Sequence, residues 1–210
     1  MYRALWTQSF GSRASPDGIV FHVTGNSGSG KSTVLEHLVY RCGFAAARKF
    51  TTHVPRHDQI VLGPGDSTRV SAEEFAALLA RPDAIAYWYG DMQKVVLLNE
   101  ARALLACYGS VCILSGHRHV AERLEVDLAP VPIVRLYVNT DPDVIESRLR
   151  AKGYTDEQLT DRLERSHQNR EHYLEEPDKY IVLDNNGDRA SLEDQLTAVV
   201  RRFCPHVRAA

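Results

Sequence analysis

The sequence of this 210-residue chain has no apolar run of membrane-spanning length, no internal repeat and no low-complexity tract. It also lacks a charge excess. A formal net charge of −2 supplies no global field for nucleic acid or an anionic membrane, so any anion binding must come from local clusters of Lys and Arg. Cysteine is scarce: Cys42, Cys107, Cys112 and Cys204, none in C-x-x-C spacing, read as reduced thiols of a cytoplasmic protein. No N-K-x-D segment is present, which excludes the usual guanine-selecting element of GTP-hydrolysing switches. Residues 1–17 carry Arg3, Trp6 and Arg13 but no apolar centre of signal-peptide length, and are expected to form an N-terminal extension. The remaining 18–210, within a composition 44% hydrophobic and 25% charged, suits one soluble domain with a real core.

What is there is concentrated in Gly25-Asn26-Ser27-Gly28-Ser29-Gly30-Lys31-Ser32, a match to G-x-x-x-x-G-K-[ST]. An apolar run, Ile19 to Val23, precedes it, and a helical pattern at Val34, Leu35, Leu38 and Val39 follows it. Strand, loop and helix in that order are the context a phosphate-binding loop needs. The glycines let backbone N–H groups turn inward around a polyphosphate, and the helix adds its positive dipole end. The pattern places Lys31 on the β- and γ-phosphates of a nucleotide and the Ser32 hydroxyl on Mg²⁺, with Thr33 completing the loop-to-helix turn. ATP and Mg²⁺ are therefore the expected cofactors.

Short apolar runs alternate with helical patterns, which predicts βαβ units and a parallel sheet. Core strands are expected at 19–24, 44–49, 111–115, 133–138 and 180–183. Helices are expected from the loop to about Cys42, from Ser71 with Glu74 closing a capping box, over roughly 92–107, from Asp141-Pro142, after Thr155, and over 191–203. Between Thr51 and Asp91 the alternation breaks. Residues 60–65 and 68–70 suggest a small hairpin and 85–89 a further strand, so 51–91 is expected to be an inserted subdomain above the carboxyl ends of the core strands, the edge where ligands bind in open α/β sheets. The fold class is thus α/β: a P-loop, three-layer, doubly wound parallel sheet with that small insertion.

Beyond the loop, the order of features resembles the guanylate kinase family. Thr51-Thr52-His53-Val54-Pro55-Arg56 is similar to its T-T-R-x-P-R segment, Val70 to Phe75 to its V-S-x-x-E-F, and Tyr87-Trp88-Tyr89-Gly90 to its Y-Y-G. Arg148 to Gly153 with Arg162-Leu163 resembles its lid, R-L-x-x-R-G followed by R-L. The resemblance thus implies a helical lid at 148–165 and an acceptor-binding role for the 51–91 insertion. Two carboxylate positions of that family fall on Ser115 and His117, its guanine-reading glutamate falls near Ala86, and the first arginine of T-T-R is His53. A buried site for guanine wants acceptors for its N–H donors, so guanine is not the expected acceptor base. Ser115-Gly116-His117-Arg118 and Leu183-Asp184-Asn185-Asn186-Gly187 resemble a sister branch, the ribose 1,5-bisphosphate phosphokinases.

The resemblance implies a kinase acting on a small phosphorylated acceptor, as monomer or homodimer, without nucleic acid or membrane partners. Lys31, Arg148, Lys152 and Arg162 are the expected catalytic cations; a solvated basic helix paired with Glu146 and Glu164 is the alternative for the last three. Thr52, His53, Arg56, Tyr89, Asp91, His117 and Arg118 are the expected acceptor contacts. Asp91 serves equally as N-cap of a helix starting at Met92. Asn185 is implied at the adenine of ATP, or forms an ordinary Asn-Asn-Gly turn. Arg48 and Lys49 suit either a solvated surface or the acceptor anion. His53, His57, His117 and His119 lack the companions of a recognised metal motif, so neutral hydrogen bonding suits His53 and His117 better than metal ligation. A non-catalytic binding module is the competing class, and the intact Lys31 and Ser32 weigh against it.

Overall fold

A computed structural model describes residues 18–53, 67–89, 92–174 and 176–207. The chain runs β1 (Ile19–Gly25), α1 (Lys31–Tyr40), β2 (Ala45–Ala46), β3 (Lys49–Thr51), β4 (Ser67–Arg69), α2 (Ala72–Leu79), β5 (Ala84–Tyr89) and β6 (Met92–Leu97). It continues α3 (Leu98–Tyr108), β7 (Ser110–Leu114), α4 (Arg118–Asp127), β8 (Ile133–Asn139), α5 (Pro142–Ala151), α6 (Asp156–Leu174), β9 (Ile181–Asp184) and α7 (Arg189–Phe203).

Five strands form an all-parallel sheet in the order β2-β7-β1-β8-β9. All seven residues of the central β1 are buried. That is why its apolar side chains do not alternate with exposed polar ones: both faces are covered. Ile19, Phe21 and Val23 pack with Leu35 and Leu38 of α1 and Leu192 and Leu196 of α7. Val20 and Ile113 pack on the other face with Ala101 of α3 and Val120 and Leu124 of α4. Helices therefore flank both faces, as an α/β three-layer fold requires. Each fully buried side chain of Leu or Phe size contributes roughly 1.5–3 kcal/mol, so the core sheet holds the loop at its carboxyl edge on a stiff base.

The second face of β1 carries polar residues at its carboxyl half. His22 is fully buried and bonds through Nε2 to the Ser115 hydroxyl. Thr24 Oγ1 meets the Tyr173 hydroxyl at 2.7 Å, and Asn26 Nδ2 donates to the Ser166 carbonyl at 2.9 Å. These bonds tie α6 down along β1 and onto the loop. Burial, with the Arg135 and His119 charges behind it, pushes the His22 pKa down to about 3. The imidazole is accordingly neutral in the folded protein at any ordinary pH.

A second, mixed sheet has the order β4-β3-β6-β5. β3 and β4 are parallel, whereas β6 runs antiparallel to both β3 and β5. Phe75 of α2 packs with Phe50, Val95 and Leu97 on one side of it. Ser71 caps α2 and Glu74 reaches back to its backbone N–H, so the expected capping box is present.

Two sequence expectations are corrected here. Residues 92–97 form β6, not the first turns of a helix, and α3 begins only at Leu98. The β6 segment is buried from both sides, with Val95 and Leu97 in one cluster and Val96 in another, and six residue pairs with β5 override its helical spacing. The Asp83 carbonyl and carboxylate then accept from the backbone N–H groups of Leu98 and Asn99, which starts the helix at that point. An N-cap role for Asp91 therefore has no helix to cap; Asp91 itself lies outside the described residues. The second correction concerns 44–49. Only Ala45-Ala46 joins the core sheet, at its edge, and Lys49 already belongs to the second sheet. Ala45 and Ala47 stay buried in the core cluster, but the ladder with β7 ends at Ala46 and the chain crosses to the second sheet by Lys49. The first half of the expected hairpin, 60–65, lies outside the described residues; Ser67–Arg69 forms β4 and pairs parallel with β3.

Candidate active site

The phosphate-loop backbone requires its glycines. Gly25, Gly28 and Gly30 all have positive φ. A Cβ at Gly25 would stand 2.7 Å from the Val138 carbonyl oxygen, and one at Gly30 would stand 2.2 Å from Asn185 Nδ2. Gly30 caps α1 without a side-chain bond, and no acidic residue lies in the first helical turn. The amide end of α1 thus opens into the cavity with its dipole uncompensated by carboxylates of its own first turn.

The loop is braced from outside. The Ser29 carbonyl accepts from Asn185 Nδ2 at 2.6 Å and from Thr140 Oγ1 at 3.1 Å. Arg148, near the end of α5, donates to the carbonyls of Gly28 (3.5 Å) and Asn185 (3.0 Å). Arg162 of α6 donates to Ser27 Oγ at 3.1 Å while its guanidinium lies 4.8 Å from the Tyr154 ring centre. Glu146, offered by the sequence as a partner for the lid cations, bonds instead to Arg150, which also reaches Asp156. Arg148 and Arg162 therefore face the loop, and Arg150 carries the solvated ion pairs.

Lys31 Nζ donates to the carbonyl of Asn26. Burial of the ammonium, then the charges of Lys49, Lys94, Lys152 and Arg162, lowers its pKa to about 7. That local excess of positive charge is the electrostatic signature of an anion site.

A cavity of about 550 Å³ joins these groups. The loop from Ser27 to Thr33 forms one wall, α5 and the α5–α6 turn close it through Arg148, Lys152 and Tyr154, and the second sheet faces them with Lys49, Tyr87, Met92 and Lys94. Ser115 and Gly116 lie at the end of β7, and Asn185, Arg189 and Leu192 at the far end beside α7. No Asp or Glu among the described residues lines it. A second cavity of about 320 Å³ shares Met92, Lys152, Tyr154 and Arg162 with the first and adds His53, Gly153 and Gln158.

The sequence matches the family described as AAA domain over residues 22–175. The chain belongs to that AAA domain family. Among solved structures, the fold of this family member is similar to a guanylate kinase from Anaplasma phagocytophilum, with a TM-score of 0.63 at 16% identity over 89% of this chain and 86% of that one. It is also similar to a gluconokinase from Sinorhizobium meliloti 1021, with a TM-score of 0.51 at 18% identity over 92% of this chain and 97% of that one. These likenesses bear on the fold, which is the P-loop kinase fold expected from the sequence. No curated protein matches the sequence.

The structure distributes the expected site residues of this AAA domain chain unevenly. Lys31, Ser32, Thr33, Arg148, Lys152, Arg162 and Asn185 meet in one cavity. Asn185 is buried and bonded to Ser29, so it acts as a brace of the loop. His53 opens on the adjoining cavity, and its backbone N–H is held by Thr51 Oγ1. Thr52 is exposed. Arg118 is drawn away into ion pairs with Glu122 and Glu176. His117 precedes α4 and lies 6.1 Å from the Tyr87 ring. Burial, then the neighbouring His119, lowers its pKa. Arg56, Asp91 and His57 lie outside the described residues, and of Tyr89 the backbone alone is described. Arg48 and Lys49 part company: Arg48 bonds to Glu100 on the surface, whereas Lys49 is buried against the cavity.

Lys94 and the pairing of His22 with Ser115 did not emerge from the motifs, and Tyr87 stood in the Tyr-Trp-Tyr-Gly match without being assigned to the site. For His22 and Thr24 a signal existed, polar residues at alternate positions inside an otherwise apolar strand. Lys94 gives none, because only its pairing opposite Tyr87 turns it toward the loop.

A polyphosphate fits the site on two counts. Gly28 and Gly30 line the cavity with side-chain-free backbone in the positive-φ conformation, and the cavity gathers cations on several sides. A magnesium ion fits more narrowly. Among the described residues there is no cluster of three or more metal-ligating His, Cys, Asp or Glu, and Ser32, next to Lys31 at the start of α1, is the hydroxyl that the loop motif offers to the ion. Mg²⁺ keeps several waters and binds largely through substrate phosphates, which suits a site with one hydroxyl ligand. No helix among the described residues is long and apolar enough to cross a membrane.

Proposed function

We propose that this chain is an ATP- and Mg²⁺-dependent kinase that transfers the γ-phosphoryl group of ATP to the phosphate of a small acceptor, giving ADP and a diphosphate. The observation that carries this reading is the single cavity in which the phosphate loop faces Lys31, Lys152 and Arg162 on one side and a cationic sheet face on the other.

Phosphoryl transfer depends on positioning and charge neutralisation more than on covalent chemistry. An oxygen of the acceptor phosphate attacks the γ-phosphorus as the bond to the β-phosphate oxygen breaks, and ADP leaves with that electron pair. The attacking oxygen is already anionic, so no general base is required. The loop amides and Lys31 hold the triphosphate; Arg148 fixes the loop through the Gly28 carbonyl; Arg162 and Lys152 supply charge from the lid side. Mg²⁺, held at Ser32 and by the nucleotide, would add further neutralisation of the phosphates. Closure of Tyr154 and the α5–α6 turn over the cavity excludes water and limits hydrolysis of ATP.

The acceptor is better read as a sugar phosphate than as a guanine nucleotide. Ala86, Ser115 and His117 stand where the guanylate kinase resemblance would place carboxylates, and Ser115 is committed to neutral His22. We place the enzyme in the cytoplasm, acting on soluble small molecules as monomer or homodimer. Incubating the protein and Mg-ATP with a panel of nucleoside monophosphates and ribose phosphates, and following ADP, tests the reading. Acceptor-dependent ADP with a diphosphate product is expected. Tight ATP binding with no acceptor-dependent ADP would make the chain a nucleotide-binding module instead.

A further inference from the structure

Across the cavity from the phosphate loop, the second sheet presents one face on which Lys49 of β3 and Lys94 and Met92 of β6 lie with Tyr87 of β5. The register explains the grouping. Lys94 stands opposite Tyr87, and Lys49 opposite Val96, two residues further along the same face of β6. Lys49 is only 4% exposed and Tyr87 2%, so the face is part of the packed structure and not a fringe of mobile lysines. Lys94 is half-buried and donates to Ser67 Oγ of β4 at 3.1 Å, which holds its ammonium in place.

We propose that Lys49 and Lys94 form an acceptor-phosphate site, a second anion cradle built on the mixed sheet and facing the phosphate loop. The inference rests on the kinase reading for its role and on the sheet geometry for its existence. In-line transfer needs an acceptor phosphate near the γ-phosphate but on the side opposite the loop. These two ammonium groups are on that side, and both lie close enough to Lys31 to weaken its hold on a proton. A phosphate monoester carries about −1.5 to −2 charges near neutral pH, which two lysines match. Among the described residues no Asp or Glu lines the wall between them and the loop. Tyr87 and Met92 supply an apolar floor with no carboxylate to receive the N–H groups of a purine. The site therefore selects a compact phosphate ester and discriminates against acceptors that offer only a hydroxyl.

Inorganic phosphate is the probe, titrated by calorimetry into the protein with its donor site filled by a non-hydrolysable ATP analogue and Mg²⁺. Saturable binding is expected in the wild type. Lys94→Met and Lys49→Met should each weaken it at least about tenfold while the affinity for the analogue does not fall, and Lys94→Arg should restore most of it. Because Lys94 is half-buried, its variants keep the test informative if Lys49→Met fails to fold. Unchanged phosphate affinity in Lys94→Met, or no phosphate binding by the analogue-loaded wild type, would overturn the proposal. Phosphate binding lost in the variants of a protein that forms no ADP with any acceptor would retain the cradle and remove the kinase reading.

Discussion

The two halves of the cavity are made in different ways. The half proposed for the nucleotide donor hangs from a five-stranded parallel sheet and is made largely of backbone: amides of Gly25 to Ser32, carbonyls of Ser29 and Asn26, and the open end of α1. The half proposed for the acceptor stands on a four-stranded mixed sheet, two of whose strands are three residues long, and is made of side chains: Lys49, Tyr87, Met92 and Lys94. A backbone site tolerates no added atoms but is indifferent to side-chain identity elsewhere. A side-chain site changes its ligand when one residue changes. The donor half is therefore the constant part of the machine and the acceptor half the adjustable part.

Substitutions on either side sharpen or break this contrast. The largest effect is expected from Lys31→Ala. It should lower kcat with every acceptor by about 10³-fold, since it removes the cation at the transferred group. Residual turnover that depended on the acceptor would mean that the donor side is not the constant one. Gly25→Ala should cost about 1–3 kcal/mol in strain, more if the Val138 carbonyl cannot yield, and should appear as a lower urea midpoint together with lost ATP binding. A well-folded, ATP-binding Gly25→Ala would break the claim that the loop has no room for a Cβ.

If the kinase reading holds, Arg162→Ala should reduce kcat by roughly 10–100-fold with a smaller change in KM for ATP, because Arg162 reaches the loop at Ser27 and lines the cavity. An effect on stability alone would reduce it to a strut. The pH dependence of ATP binding follows from Lys31. With a pKa lowered to about 7, much of its ammonium has lost its proton by pH 8 in the free protein. A bound polyphosphate favours the charged form and raises that pKa, so binding takes up a proton and affinity falls as pH climbs from about 7 to 9. Calorimetry at pH 8 in buffers of different ionisation enthalpy reads the uptake; identical heats would contradict it. The smallest effect is expected on the acceptor side, from Ser71→Ala. Loss of the capping box should cost about 1 kcal/mol, visible as a lower Tm, and leave ATP binding unchanged.

The same contrast governs what could be read in advance. The donor half follows from contiguous residues, because a loop between a strand and a helix carries its ligand groups within eight positions. The capping box at Ser71 was legible for the same reason. The family resemblance singled out Arg148 and Arg162 but not their targets: Arg148 and Arg150 look alike in sequence, and only the turn of α5 sends one to the Gly28 carbonyl and the other to Glu146 and Asp156. The helix expected to begin at Met92 failed because Val95, Val96 and Leu97 satisfy either period, and pairing with β5 decided between them.

By itself, the order of apolar segments and glycines determined a parallel α/β core with a nucleotide-phosphate loop at its edge. Local sterics and hydrogen bonding fix such a unit, and both act over a few residues. Tertiary structure alone decided that Lys49 and Lys94, far apart in sequence, share one wall of the cavity, that His22 bonds to Ser115 at the end of β7, and that Arg118 turns away to Glu176. Those choices depend on strand register and sheet packing, whose energies belong to pairs of segments and are written in neither segment alone.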